Sequence, residues 1–146
     1  MTTQLTAIDP VNDVLSTESL HNVVGSLIKS LAPAALRHKS YIVNDVSLEI
    51  RTEVNENLLA AVLGSLINAV LRNTQNSCIR ITAKFYGNVI SLHIEDNGCI
   101  NYSSISQNLA GIQPQIEKLN GFIGVTSYRN KLTTIAFSFV NMHKVS

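Results

Sequence analysis

A chain of 146 residues with 45% apolar and 14% charged residues is long enough to form one domain with a sizeable core. Its formal net charge of +1, with no run of Lys or Arg, argues against nucleic acid as a partner, because such binding needs a concentrated basic patch. No apolar run approaches the ~18 residues of a membrane span, and the N-terminus has no signal-peptide pattern. Cys78 and Cys99 are too few for a disulfide framework. We therefore expect a soluble cytoplasmic protein with two free thiols and no membrane partner.

The first predicted element is a helix behind a lead segment. Residues 1–14 are interpreted as a flexible lead or a short edge strand, residues 15–140 as the domain, and residues 141–146 as a tail. Residues 16–18 supply helix-start chemistry. The helix is expected to end near Pro33 or to continue, with a kink, to about His38, because proline interrupts the hydrogen-bond ladder. Its apolar positions are Leu20, Val23, Val24, Leu27 and Leu31.

Two short strands and a second helix are predicted next. Residues 41–43 and 48–51 are strand-like, and Asn44-Asp45 is the turn signal between them. Asn55 is the predicted N-cap of the helix. A broad apolar stripe indicates that this helix packs on the core, and it consists of Leu58, Leu59, Val62, Leu63, Leu66, Ile67 and Val70.

The opposite face of the second helix is unusual for a solvated surface, which would carry Lys and Glu. Along one line of this face, four residues recur at a spacing of one helical turn: Ala60, Gly64, Asn68 and Arg72. Gly64 inside a helix costs up to ~1 kcal/mol relative to Ala, so the pattern indicates the close approach of another group. A ligand and a tightly packed neighbouring strand both fit this pattern.

A β-hairpin follows, and its second strand ends in a carboxylate. Gly87-Asn88 is the turn between two strands of alternating apolar and polar residues. A period of two puts Asp96 in phase with the apolar residues Ile90 and Leu92. A carboxylate at the end of a buried face is costly unless it is paired, which indicates a pocket mouth. From this position alone, the simpler role of Asp96 as the opening residue of an Asp-Asn-Gly turn is favoured.

The last third of the chain is predicted to contain a polar loop, a helix and a final hairpin. The loop is residues 97–106, and Pro114 kinks the following helix or marks its effective start. The hairpin pairs residues 122–127 with residues 133–140 around Arg129-Asn130. The expected core positions of the helix and the last strand are Leu109, Ile112, Ile116, Leu119, Ile135, Phe137 and Phe139.

This order of elements predicts an α/β (α+β) sandwich, with about three helices on one face of a mixed, mostly antiparallel sheet. Together with the sequences around Asn68 and Asp96, it resembles the ATP-binding domain of the GHKL superfamily, and within it most closely the catalytic domain of sensor histidine kinases. The resemblance covers nearly the whole predicted domain. It implies a Bergerat-type fold and a site for ATP with Mg²⁺.

The resemblance carries family roles over to four residues. Asn68 in SLINAVLRNT matches the asparagine whose amide oxygen helps to hold Mg²⁺ on the phosphates, and Arg72 falls near the basic residue that follows it. Asp96 and Gly98 in EDNGCI match the first glycine box. In the family this Asp accepts a hydrogen bond from the adenine amino group, and this Gly lets the backbone approach the base. For Asp96 the resemblance reverses the preference for a simple turn.

The matched motifs are incomplete. Gly64 stands where the family has an acid or an amide, so it can neither activate water nor bind a metal ion. Ile100 replaces the second glycine of the first box. SQNLAGI, residues 106–112, keeps one glycine of the phosphate loop, whose backbone N–H groups would hold the triphosphate. The loop predicted after Gly98 is too short for the mobile lid of the kinases.

These departures predict a degenerate domain, a pseudokinase with weak or no catalysis, and no catalytic residue is assigned. The first hypothesis is a histidine-kinase-like ATP-binding domain in two-component-type signalling, with a response regulator or a phosphoacceptor protein as partner. The alternative is a non-catalytic adaptor that keeps the fold without binding nucleotide. A serine kinase that restrains a sigma factor fits less well, because it needs the phosphate loop. His21 is not expected to be a phosphoacceptor, and a homodimer is left open.

Overall fold

The computed structural model describes residues 18–98, 102–128 and 132–141. The predicted lead at residues 1–14 lies outside these ranges, as does most of the predicted tail. No helix in the described ranges is long and apolar enough to cross a membrane. The described helices and strands are, in chain order, α1 (Leu20–Arg37), β1 (Tyr41–Asn44), α2 (Glu56–Arg72), β2 (Cys78–Tyr86), β3 (Val89–Asp96), α3 (Tyr102–Ala110), α4 (Gln113–Lys118), β4 (Gly121–Tyr128) and β5 (Leu132–Val140).

The strands form one five-stranded mixed sheet in the order β1-β2-β3-β5-β4. β1 is parallel to β2, and the other neighbouring strands are antiparallel. Alternation along the strands places Ile81, Ile94 and Ile135 in one buried cross-strand row. The buried face of the sheet and the apolar faces of the helices form one hydrophobic cluster. The predicted architecture, helices on one face of a mostly antiparallel sheet, is therefore confirmed.

The two long helices follow the apolar spacing of the sequence. α1 runs through Pro33 instead of ending there. It begins directly after Ser19, whereas residues 16 and 17 of the predicted start lie outside the described ranges. At the start of α2, the Asn55 side chain accepts a hydrogen bond from Leu58 N at 2.9 Å, which confirms the predicted cap. The predicted apolar stripe of α2 is buried, apart from the half-buried Leu58.

The predicted strand at residues 48–51 is wrong, and β1 is not half of a hairpin. Asn44, the predicted turn residue, donates from its side chain to His21 O at 3.0 Å and directs the chain towards α1. There Leu20 N donates to Ile50 O at 2.9 Å, within an isolated bridge at the helix start. Ile50 N donates to Ser47 O, and Arg51 O accepts from the Asn141 side chain. This stretch therefore finds its partners outside the sheet, which leaves β1 to pair with β2.

The predicted polar loop at residues 97–106 is wrong from residue 102 onwards, because α3 begins there. Ile105 and Leu109 are both buried, and their spacing of four residues places them on one helix face. The predicted final helix is therefore two helices, α3 and α4. Pro114 lies in the first turn of α4, so its predicted role as a helix start is confirmed.

Both predicted hairpins are present. β2 and β3 pair around Gly87, whose φ of 62° is a backbone conformation that favours glycine. β4 and β5 pair along their whole length. The predicted turn residues Arg129 and Asn130 lie outside the described ranges. The predicted core residues of β5 are all fully buried, namely Ile135, Phe137 and Phe139.

Candidate functional site

The Asp96 carboxylate lies at the end of the buried face of β3, and its side chain is 1% exposed. Its Oδ1 atom accepts a hydrogen bond from Gly98 N at 2.8 Å, which is the turn contact considered from the sequence. Its Oδ2 atom is also buried and has no hydrogen-bond partner among the described residues. A buried acceptor without a donor costs about 1–3 kcal/mol. One oxygen therefore makes the turn, and the other is buried without a donor.

Three buried hydroxyl residues lie near this carboxylate. Asp96 is in register with Ile79 of β2 and with Thr133 of β5. Thr133, Thr74 and Ser77 are buried. The Thr74 and Ser77 hydroxyl oxygens are 3.0 Å apart. These three hydroxyl residues were not predicted from the sequence, because Thr74 and Ser77 lie in the short connection between α2 and β2 and Thr133 comes from a distant strand. The signal that points to Thr133 is its place at the start of a strand opposite the end of β3.

Gly98 fits among these side chains because it has no Cβ. A Cβ at this position would lie 2.7 Å from Ser77 Cβ and 3.0 Å from Thr74 Oγ1. Protein atoms are therefore enough to require glycine here, and the expected approach of the Gly98 backbone to a base stays a prediction. We define the Asp96 corner as Thr74, Ser77, Asp96, Gly98 and Thr133.

Asn68 and Arg72 lie on α2, which ends beside the Asp96 corner. Arg72 is the last residue of the helix and is exposed, and Asn68 is half-buried. At a rise of about 1.5 Å per residue, Asn68 lies roughly 6 Å before the helix end. Within the described ranges, no group of three or more His, Cys, Asp or Glu could hold a metal ion. With Gly64 one turn earlier, Asn68 contributes a lone amide, which is a poor fit to Mg²⁺ and its preference for several oxygen ligands.

Gly64 lies against α1. A Cβ on Gly64 would meet Leu27 Cδ2 at 3.4 Å, an ordinary van der Waals contact. The neighbour is thus a helix, and not the strand that the pattern suggested. Glycine is not required here by crowding.

Replacing Gly64 by Ala is expected to raise the free energy of unfolding by about 0.5–1 kcal/mol, because Ala favours the helix and restricts the unfolded chain. Urea unfolding followed by circular dichroism measures this change. Gly87→Ala is the control, since its φ of 62° strains any other residue and should lower stability. A loss of stability in both variants would mean that the space beside Gly64 is filled.

A separate cluster of polar side chains lies on the outer face of the sheet, at the end that carries Asp96. The pKa of Tyr41 is raised, chiefly by a hydrogen bond with the Cys78 side chain and then by its electrostatic interaction with that side chain. Tyr41 is therefore neutral at pH 7. Arg80 forms an ion pair with Asp45. Because successive strand residues point to opposite faces, these groups lie on the other side of the sheet from Asp96.

Comparisons with known proteins agree on the fold. No protein-family profile and no curated protein sequence matches the chain. The histidine kinase AdeS of Acinetobacter baumannii superposes with a TM-score of 0.76 and 16% identity, over 88% of this chain and 68% of AdeS. Full-length ShkA, solved with AMPPNP, superposes with a TM-score of 0.74 and 15% identity, over 95% of this chain and 33% of ShkA. The catalytic domain of the histidine kinase ThkA superposes with a TM-score of 0.71 and 12% identity, over 87% of this chain and 95% of that domain.

These identities are too low to transfer residue roles, and the chain spans about a third of full-length ShkA. The shared property is the arrangement of helices and strands. It holds over nearly all of the isolated ThkA domain. The chain therefore has the fold of a histidine kinase catalytic domain.

Proposed function

We propose that this domain binds ATP as a histidine-kinase-like module of two-component-type signalling, with weak or no catalysis. The observation that carries the proposal is the buried Asp96 Oδ2 atom, which has no partner among the described residues. The amino group of adenine is a donor of the kind that this oxygen lacks, and a hydrogen bond to a charged acceptor is worth about 1.5–3 kcal/mol. Gly98 keeps the adjacent backbone free of a side chain.

The phosphate end of the ligand would lie towards Asn68 and Arg72. Arg72 offers a guanidinium, which suits a phosphate oxygen, whereas Asn68 offers only a lone amide oxygen, so most of the oxygen ligands of Mg²⁺ would have to come from the phosphates and water. Gly64 has no side chain with which to activate a nucleophile. If the domain is active, its activity is that of an ATP-dependent histidine-type kinase, and positioning and charge would have to supply most of the catalysis.

The partner proposed for this domain is a response regulator or a phosphoacceptor protein. ThkA has been solved in complex with the response regulator TrrA, and it shares the fold of this chain with a TM-score of 0.69. That assembly belongs to ThkA. It supports the same class of partner here because the shared fold covers 88% of this chain.

Calorimetric titration with AMPPNP and Mg²⁺ tests the proposal. We expect binding in the micromolar range, and we expect Asp96→Asn to weaken it about tenfold or more, because the variant replaces a charged acceptor by an amide. Glu95→Gln is the matched control. This variant also removes a carboxylate from β3. The Glu95 side chain, however, lies on the outer face of the sheet, where Glu95 is in register with Arg80 and Thr134. Equal affinities of the two variants would contradict the role of Asp96.

The alternative function is an adaptor that keeps this fold without nucleotide. Two observations favour it: the Gly64 position has no side chain, and the segment at residues 106–112 is largely helical. A folded wild-type protein that gives no heat with millimolar AMPPNP or adenosine would support the adaptor and overturn nucleotide binding.

A further inference from the structure

We propose that the Asp96 corner recognises the adenosine end of its ligand and that the phosphate groups add little to affinity. The ligand class is then adenine nucleosides and nucleotides, bound about equally whatever their number of phosphates. This inference rests on the proposed function, since it assumes that Asp96 binds adenine. It goes beyond that function by assigning the recognition to one end of the ligand.

The segment in the phosphate-loop position has its backbone donors occupied. Residues 106–110 form the second half of α3, where each N–H is bonded within the helix. Gly111 N donates to Asn108 O at 3.3 Å. Ile112 N donates to Leu109 O at 3.0 Å. Phosphate recognition by a loop needs N–H groups without internal partners that point at the anion. These residues present none, so they cannot hold a triphosphate without first losing helical hydrogen bonds.

The glycine that remains in this segment is not required by its conformation. A Cβ on Gly111 would have Asn108 O as its nearest neighbour, at 3.6 Å, which is an ordinary contact. Among the described glycines, the positive φ belongs to Gly87. A phosphate-loop glycine is needed for a positive φ or for close approach of the phosphate. Gly111 meets neither condition in this structure.

A side-chain bridge holds α3 against the end of α2. Asn73 Nδ2 donates to Ala69 O at 2.7 Å, in the last turn of α2. The same nitrogen donates to Asn108 Oδ1 at 2.8 Å, in α3. This bridge joins the helix that carries Asn68 and Arg72 to the helix that replaces the loop. It adds to the cost of unwinding α3 around an anion.

The charges along α2 lead to the same conclusion. Gly64 offers no ligand to a metal ion, so Mg²⁺ would bind through Asn68 and the phosphates themselves. Arg72 is exposed at the helix end. Attraction between exposed charges is weak and is screened further by salt. By contrast, Asp96 and the hydroxyl groups of the Asp96 corner are buried, where a hydrogen bond to a donor counts for more.

Calorimetry with the wild-type chain tests the inference with three probes: adenosine, ADP and AMPPNP, each with and without Mg²⁺. We expect the three dissociation constants to agree within about threefold, because exposed charge pairs contribute little. Guanosine presents a carbonyl where adenosine presents an amino group, and it should bind roughly tenfold more weakly or worse, because two acceptors would then face each other. Asp96→Asn should weaken adenosine and AMPPNP by the same factor.

The outcomes separate this inference from the proposed function. AMPPNP with Mg²⁺ binding roughly thirtyfold or more tightly than adenosine would overturn the inference and leave ATP binding intact, because such a gap requires strong phosphate contacts. Adenosine and guanosine binding equally would also overturn it, since the base would not be read. The absence of binding by every probe to a folded protein would overturn both.

Discussion

Replacing Phe137 by Ala is expected to lower the free energy of unfolding by about 3–5 kcal/mol, which is a large part of the stability of an ordinary domain. Phe137 is fully buried on β5, the strand between β3 and β4. It is in register with Leu92 and Ile123, and its ring stacks on Phe139 with centroids 5.3 Å apart. Truncation therefore removes a large apolar side chain and leaves a cavity in the middle of the sheet. Urea unfolding followed by circular dichroism measures the loss.

Phe122→Ala is the matched control for this prediction. Phe122 lies on the neighbouring strand β4 and is 65% exposed. Because little of its surface is buried, we expect its replacement to change stability by about 0.5 kcal/mol or less. Similar losses in the two variants would contradict the assignment of Phe137 to the core. A folded Phe122→Ala protein also shows whether this exposed ring takes part in association, which its sedimentation behaviour would reveal.

Replacing Gly98 by Ala is expected to lower stability by about 1–3 kcal/mol, because the new Cβ would overlap Ser77 Cβ and crowd Thr74 Oγ1. The same methyl group would lie 3.3 Å from Asp96 Oδ1. Displacing Gly98 would break its hydrogen bond to that oxygen. We therefore expect adenosine binding to weaken at least tenfold, in line with the loss of one hydrogen bond to a charged group. Chemical denaturation and calorimetry measure the two effects on one sample.

Gly111→Ala is the control for Gly98→Ala. Its new methyl group has room, with Asn108 O at 3.6 Å, and it lies outside the Asp96 corner. We expect stability to stay unchanged or to rise slightly and adenosine binding to be unaffected. If Gly98→Ala were as stable as wild type and bound adenosine normally, the Asp96 corner would be looser than the structure indicates. If Gly111→Ala abolished AMPPNP binding but kept adenosine binding, residue 111 would act on the phosphates after all.

Several features of this protein were determined by the sequence alone, because each depends on neighbours along the chain. The apolar spacing and the Asn55 cap predicted α2, and alternation predicted both hairpins with their buried faces. The same alternation placed Asp96 in phase with Ile90 and Leu92, and the structure buries it there. Local patterns carry this information because a helix or a strand repeats its exposure with a fixed period.

The tertiary structure decided the rest, because those features depend on contacts between distant segments. Residues 48–51 alternate like a strand, but they form an isolated bridge with Ser19 at the start of α1 instead of joining the sheet. The stretch that was predicted to be a polar loop forms the start of α3, because Ile105 and Leu109 are buried in the core. Thr133 lies opposite Asp96 only when β5 pairs with β3, and Thr74 and Ser77 lie beside Gly98 only when the connection between α2 and β2 folds against the end of β3. The sequence placed a carboxylate at a strand end, but packing decided that one oxygen would close the turn while the other stayed buried beside those hydroxyl groups.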